Sequence, residues 1–292
     1  MSTRRGFTLV ELLIALVLFL IVSGAIYKLL NTTQRVSRAQ AERVDMQSNM
    51  RAGVLLVPSD LRMIGYDSTP GSATVTSDIL SMSADSIAFR AIRAGGIMCK
   101  YTSANEIIID TSASHYYSAY RTPVSGARDS VMLFSEGDAT ISDDDQWVSG
   151  LPISSVGTGT CSSTFGSRSG LRLGTTLAFN TALYAEGAPF RTYEVMVYKL
   201  YQSGSKYYLG AYSHSASETI QPMLGPLTSS GFRLDYYDAT GTTATTVPKN
   251  VRTIKVTLIS QSDQRIAGGG AGQQTIANDS IVTYVTLRNA LR

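Results

Sequence analysis

The apolar positions of this chain follow two different periods. From Leu12 to Tyr27 no residue is charged, and Ser23 is the one polar side chain. With Phe7 to Val10 this makes an apolar run of about two dozen residues, about 36 Å as a helix and enough to cross a bilayer. After Gly24 no Gly or Pro occurs until Gly53. Val36, Ala39, Met46, Met50, Val54 and Val57 recur near a 3.6-residue spacing, interrupted by Arg43. Arg35, Arg38, Gln40, Glu42, Asp45 and Gln47 supply a polar face. The pattern predicts one helix from Phe7 to Val57, wholly apolar at first and amphipathic afterwards. Pro58 is expected to break or kink it. "PSDLRMIGY" (58–66) reads as a short last helical stretch, with Gly65 as its stop.

From Thr69 onward the period becomes 2. "SIAFRAI", "EIIID", "SVMLF", "YEVMVYKLY", "KYYLGAY", "FRLDYY", "VRTIKVTLI" and "IVTYVTL" read as strands. The second pair of tyrosine-rich strands forms a hairpin around Ser203-Gly204, and Asp238 to Gly241 makes a turn. "AGGGAGQQ" (267–274) reads as a flexible loop between two late strands. No helical pattern separates the strands, which favours an antiparallel sheet. The expected class is α+β, with a long N-terminal helix packed on an antiparallel sheet. The expected segments are 1–6, an apolar half-helix 7–30, an amphipathic half-helix 31–66, and a β-rich domain 67–292.

Composition narrows the class. Only 16% of the 292 residues are charged, and Gly and Tyr number 25 and 16. This suits a β-rich exported protein better than a helical cytosolic enzyme. The formal net charge is +3, and Arg4 and Arg5 supply two of those charges. The balance therefore gives nucleic acid little electrostatic hold. Cys99 and Cys161 are the two cysteines. Behind a membrane segment they are expected to form one disulfide, whose loop would stabilise the fold by about 4 kcal/mol. Zinc is disfavoured, because His115 and His214 lie far from each other and from the cysteines in sequence.

The N-terminal run contains an anomaly. Glu11 stands at the head of the apolar stretch, where a carboxylate in hydrocarbon is costly. A secretory signal peptide would account for the basic start, the apolar middle and the small-residue "VSGA". It would not account for Glu11, for the Gly6-Phe7 junction directly after the arginines, or for a helical pattern that continues past Ala25. Orientation is not settled by charge, since Lys28, Arg35 and Arg38 follow the run.

"RRGFTLVELLIAL" (4–16) resembles the prepilin signature of type IV pilins and type II secretion pseudopilins. "LRMIGY" (61–66), "IQPMLGPLTSSGFRLDYYDATG" (220–241) and "YVTLRNAL" (284–291) are similar, more specifically, to the large minor pilins of the PilW type and to pseudopilin J. The stretch from 70 to 190 matches neither. The resemblance implies a leader peptide at 1–6, cut after Gly6 by a prepilin peptidase, and N-methylation of the new first residue, Phe7. It implies that Glu11 meets the free amine of Phe7, in a neighbour or in its own chain, and that Thr8 helps hold that terminus. An acid paired with an ammonium inside a helix bundle would act as a register mark, since a wrong stagger leaves a charge unpaired. A lone glutamate snorkelling near the interface is the plain alternative. Many pilins carry a helix-breaking Pro in the second half of this segment; here that position is Lys28.

Other chemistry is sparse. "SDDDQW" (142–147) offers Asp143, Asp144 and Asp145 to calcium, although successive carboxylates without an EF-hand pattern more often form a solvated turn. "GTGTCSSTFGSRSG" (157–170) lacks Walker or Rossmann spacing. The tyrosines of "HYYSAYR" (115–121) are expected to pack on the sheet. No acid, base and nucleophile assemble into a catalytic set, and no cofactor or small-molecule substrate is implied. The sequence reading is a non-enzymatic minor pilin that works with other minor subunits near a type IV pilus tip and helps start assembly. The alternatives are a minor pseudopilin of type II secretion, or a tip module binding DNA or a surface. The expected partners are other pilins and minor pilins, prepilin peptidase and the inner membrane, where the precursor would be a single-pass protein before entering a filament.

Overall fold

A computed structural model describes residues 8–64, 77–112, 116–136, 140–141, 145–267 and 274–287. The fold is α+β: one long N-terminal helix followed by a large antiparallel sheet domain. Helix α1 covers Leu9–Leu61 without interruption. Two compact units divide the chain, one of residues 1–48 with 261–279 and one of 49–260 with 280–292.

The helix differs from the sequence expectation at its end. Pro58 lies inside α1, and the helix continues to Leu61 instead of breaking. Proline lacks one amide hydrogen, yet its carbonyl still accepts from the Arg62 amide at 3.1 Å. Burial explains why the turn is worth keeping: Val57 and Leu61 are both fully enclosed, and packing outweighs the local penalty. The expected stop, Gly65, lies outside the described residues.

In the first unit the apolar half of α1 is bare. Its most apolar window has a mean hydropathy of 2.8 and none of it is buried in the chain's own fold. By length and composition this helix can cross a membrane. Thr32 and Thr33 donate their hydroxyls to the carbonyls of Lys28 and Leu29, both at 2.9 Å, so these polar side chains are satisfied within the helix. Further along, the Glu42 carboxylate accepts from the Asp263 amide at 2.7 Å. Two short strands, Ile266–Ala267 and Gln274–Thr275, pair on either side of the glycine-rich segment. Residues 268–273, expected as a loop, lie outside the described residues.

The second unit holds two cores. Numbered in chain order, its principal strands are β1 (Ile79–Met82), β2 (Ser86–Ser103), β3 (Glu106–Ile109), β4 (Ser118–Ala119), β5 (Asp129–Ser135), β6 (Gln146–Thr160), β7 (Ser169–Thr175), β8 (Pro189–Ser203), β9 (Lys206–Ser213), β10 (Gln221–Tyr237) and β11 (Thr253–Gln261), and a further strand, Asn278–Thr286, follows them. The first core lies under β1, the start of β2, the end of β8, and β9 to β11. Met50, Val57 and Leu61 of α1 pack there with Phe89, Leu224, Phe232, Ile254 and Leu258. Gly53 permits this approach. A Cβ there would stand 2.6 Å from Leu258 and 2.7 Å from Leu224. Asp60 accepts the Tyr198 phenol and fixes the end of the helix against β8. That phenol is held well above its usual pKa by burial and by the Asp60 charge.

The second core is a closed ring. β2 pairs with β3, β3 with β7, β7 with β6, β6 with β5, β5 with β8, and β8 with β2, every pair antiparallel. Six strands therefore form a small barrel, with no edge within the ring. Its interior is filled by alternate residues: Ile107 and Ile109, Val131 and Leu133, Leu151 and Ile153, with Leu173 and Phe190. β2 and β8 are long enough to serve both the barrel and the open sheet. A register shift between Ile92 and Ala94 in β2 marks the transition.

The sequence reading expected one sheet and missed β6 and β7. Their stretch, 157–170, is the hairpin that closes the barrel, and its glycines have a steric role. A Cβ at Gly170 would stand 2.4 Å from the Ile109 carbonyl oxygen. Cys99 and Cys161 are joined by a disulfide, with Cα atoms 5.2 Å apart, beside Ile108 and Phe165.

Candidate assembly site

The first turn of α1 is organised by two side chains. Thr8 precedes the helix, and its hydroxyl accepts from the Glu11 amide at 3.3 Å. Glu11 reaches back, and its Oε2 accepts both the Thr8 amide at 2.9 Å and the Thr8 hydroxyl at 3.0 Å. This is a capping box, in which a Thr at the N-cap and a Glu three residues on satisfy each other's backbone donors. The sequence "TLVE" (8–11) carries this capping signal as well as the resemblance to a prepilin. Both bonds donated by Thr8 fall on Oε2. Among the described residues Oε1 has no partner, so the carboxylate is held by one oxygen and presents the other.

The surroundings of this turn are apolar and open. Leu9, Leu12, Leu13 and Leu16 are each more than half exposed, as are Phe19 and Leu20. A helix that is hydrophobic all round and buried by nothing in its own chain needs lipid or other helices. Gly6 and Phe7 lie outside the described residues. So do Asp143, Asp144 and His115. Asp145 directly precedes β6, and among the described residues no cluster of three or more His, Cys, Asp or Glu side chains could hold a metal. His214 sits in the turn after β9, where its amide donates to the Val195 carbonyl at 2.8 Å.

The tyrosine stretch 116–121 departs from expectation. Tyr117 packs beside the barrel core, but Tyr116 and Tyr120 are 86% and 75% exposed. Sequence reasoning also missed a buried charge network at the junction of barrel and sheet. Glu194, 1% exposed, accepts hydrogen bonds from the Arg93 Nε at 2.9 Å and the Arg121 guanidinium at 2.9 Å, and forms an ion pair with the Arg128 Nε at 2.8 Å. Arg121 also forms a bidentate pair with Asp129, both contacts at 2.6 Å. Arg128 bridges on to Glu218 at 2.7 Å. Burial alone would raise the Glu194 carboxyl. Its hydrogen bonds and neighbouring guanidiniums outweigh that and hold it below the ordinary value. With three cations and three carboxylates the network is formally neutral, and its members come from distant segments with no short-range motif.

No curated protein and no solved structure matches this chain. Residues 1–27 match the prokaryotic N-terminal methylation motif. That motif implies, in general terms, processing by a prepilin peptidase and assembly with other pilin subunits. With the long apolar helix it fits an inner-membrane-anchored precursor. The methylation motif at residues 1–27 and the long apolar helix that carries it fit a type IV prepilin-like protein.

Proposed function

We propose that this chain is a non-enzymatic minor pilin that joins other minor subunits at or near the tip of a type IV pilus and helps initiate its assembly. The observation that carries the reading is the Thr8–Glu11 box at the head of an unburied apolar helix. Cleavage after Gly6 would make Phe7 the first residue, with its amine adjacent to Thr8. N-methylation there leaves a cation. Oε1 of Glu11 is the acceptor available to such a cation, from its own chain before assembly and from a neighbour afterwards. Because the alternative in an apolar bundle is an unpaired charge, assembly becomes conditional on the correct stagger. The β-rich domain, with two cores, is larger than a single small sheet would need, which suits a subunit used in few copies at an end.

The test is the position of the full-length chain in sheared filaments. Immunogold label at filament tips, with fewer filaments when the chain is deleted, is the expected result. Label along the whole shaft, or filament numbers unchanged by deletion, would refute it. Recovery only with a secretion apparatus, in cells lacking surface filaments, would replace it with the pseudopilin reading.

A further inference from the structure

A groove of about 670 Å³ runs along β2 where the sheet passes into the barrel. Its floor is small: Ala94, Gly95 and Gly96 on β2, with Ser118 and Ala119 on β4. Its walls are aromatic and cationic. Tyr116 and Tyr120 stand on one side, almost wholly exposed, and Trp147 on another. Two guanidiniums are stacked on these rings, Arg191 at 4.1 Å from the Trp147 centroid and Arg93 at 5.6 Å from that of Tyr120. Tyr116 has φ +63°, a left-handed backbone that a bulky residue seldom adopts. Such conformations gather at ligand sites, where the surrounding structure enforces them. Among the described residues no carboxylate lines the groove.

The occupant can be narrowed by its chemistry. An added peptide strand would need an open sheet edge, but β4 already pairs with Ala94 and Gly95, and the Tyr120 amide donates to the Arg93 carbonyl at 2.8 Å. Single-stranded nucleic acid would need unneutralised cations to follow its backbone. Arg93 is committed to Glu194 at 2.9 Å. What the walls offer is flat rings for an apolar face, with phenol, serine and guanidinium groups for hydroxyls around its rim. A pyranose ring has that amphipathic character, and the volume lies in the range of small-molecule sites.

We propose that this groove binds oligosaccharide, with Tyr116, Tyr120 and Trp147 as stacking platforms. A role for this binding in a filament rests on the pilin reading above, whereas the binding itself does not. Trp147 is the chain's one tryptophan, so its fluorescence reports on the groove directly. The full chain in detergent micelles should be titrated with chitohexaose, maltohexaose and a hexagalacturonate, with the oligothymidylate dT12 and a random-sequence 12-residue peptide mixture as competing classes. The expected result is a saturable change in Trp147 emission with at least one of the sugars, weakened at least about tenfold in Tyr116→Ala and Tyr120→Ala. Both tyrosines are exposed, so circular dichroism of these variants should match the parent. Three outcomes would overturn the proposal: silence with all three sugars, variants that titrate like the parent, or a response to dT12 or peptide alone.

Discussion

Thr8 and Glu11 bond each other reciprocally across the first turn of α1, at 2.9 Å and 3.0 Å to one carboxylate oxygen and 3.3 Å in return. The acid is therefore already partly satisfied before any subunit meets another. This moderates the cost of placing it beside hydrocarbon, and among the described residues its second oxygen has no partner. Substituting Glu11→Val should leave membrane insertion and the β-rich domain intact but lower recovery of the subunit in sheared filaments at least about tenfold. Glu11→Gln keeps the acceptor for Thr8 and loses the charge, so it should behave like Val in incorporation. Immunoblots of filament and membrane fractions measure this; a Gln variant that incorporates normally would show that capping, not charge, is what matters.

Glu194 links three guanidiniums across the junction of barrel and sheet. Replacing it by Gln leaves buried arginines short of a counter-charge and should destabilise the domain by about 3–5 kcal/mol. The pH dependence follows in sign. Its folded pKa lies below the ordinary carboxyl value, so the unfolded chain takes up the proton first. The stabilisation is complete above that unfolded value and is lost as pH falls through the lower, folded one. Melting temperature should fall as pH drops below the ordinary carboxylate range in the parent, with a shallower fall in Glu194→Gln. Parallel melting curves for the two would contradict the assignment.

Gly170 faces the Ile109 carbonyl across the ladder between β7 and β3. A methyl group there has 2.4 Å of room against backbone, which cannot rotate away as a side chain can. Gly170→Ala should cost about 1–3 kcal/mol in chemical denaturation. An unchanged midpoint would mean that the barrel seam is looser than its pairing indicates.

Reducing the Cys99–Cys161 bond opens a loop with a sequence separation of 62. The expected loss is about 4 kcal/mol in the chain-entropy account. It should appear as a lower denaturation midpoint for a Cys99→Ser, Cys161→Ser double variant. Equal midpoints would show that the barrel carries this stability alone.

The parts legible in the sequence were those governed by local period. The bare run after Glu11, and the stripe through Ala39, Met46, Met50 and Val57, specified α1 nearly to its end. Alternation exposed β8 to β11. Pro58 misled because a proline's local cost says nothing of how deeply Val57 and Leu61 are packed on either side. The barrel was hidden for a related reason: β6 and β7 are built around Gly157, Gly159, Gly170 and Gly174, where neighbouring chains come close, so they show little alternation. Tyr116 and Tyr120 were expected to pack, yet the sheet surface beside them is taken up by small residues and leaves the rings outside. Glu194 and its arginines are joined only by the fold.

The central claim is that the chain is cut between Gly6 and Phe7 to create the amine that Glu11 awaits. Intact-mass and N-terminal peptide spectra of the protein from membranes and filaments test it most directly. The account expects a chain beginning at Phe7, with one methyl group on its nitrogen. A chain that retains Met1, or one that begins after Gly24 or Ala25, would contradict it.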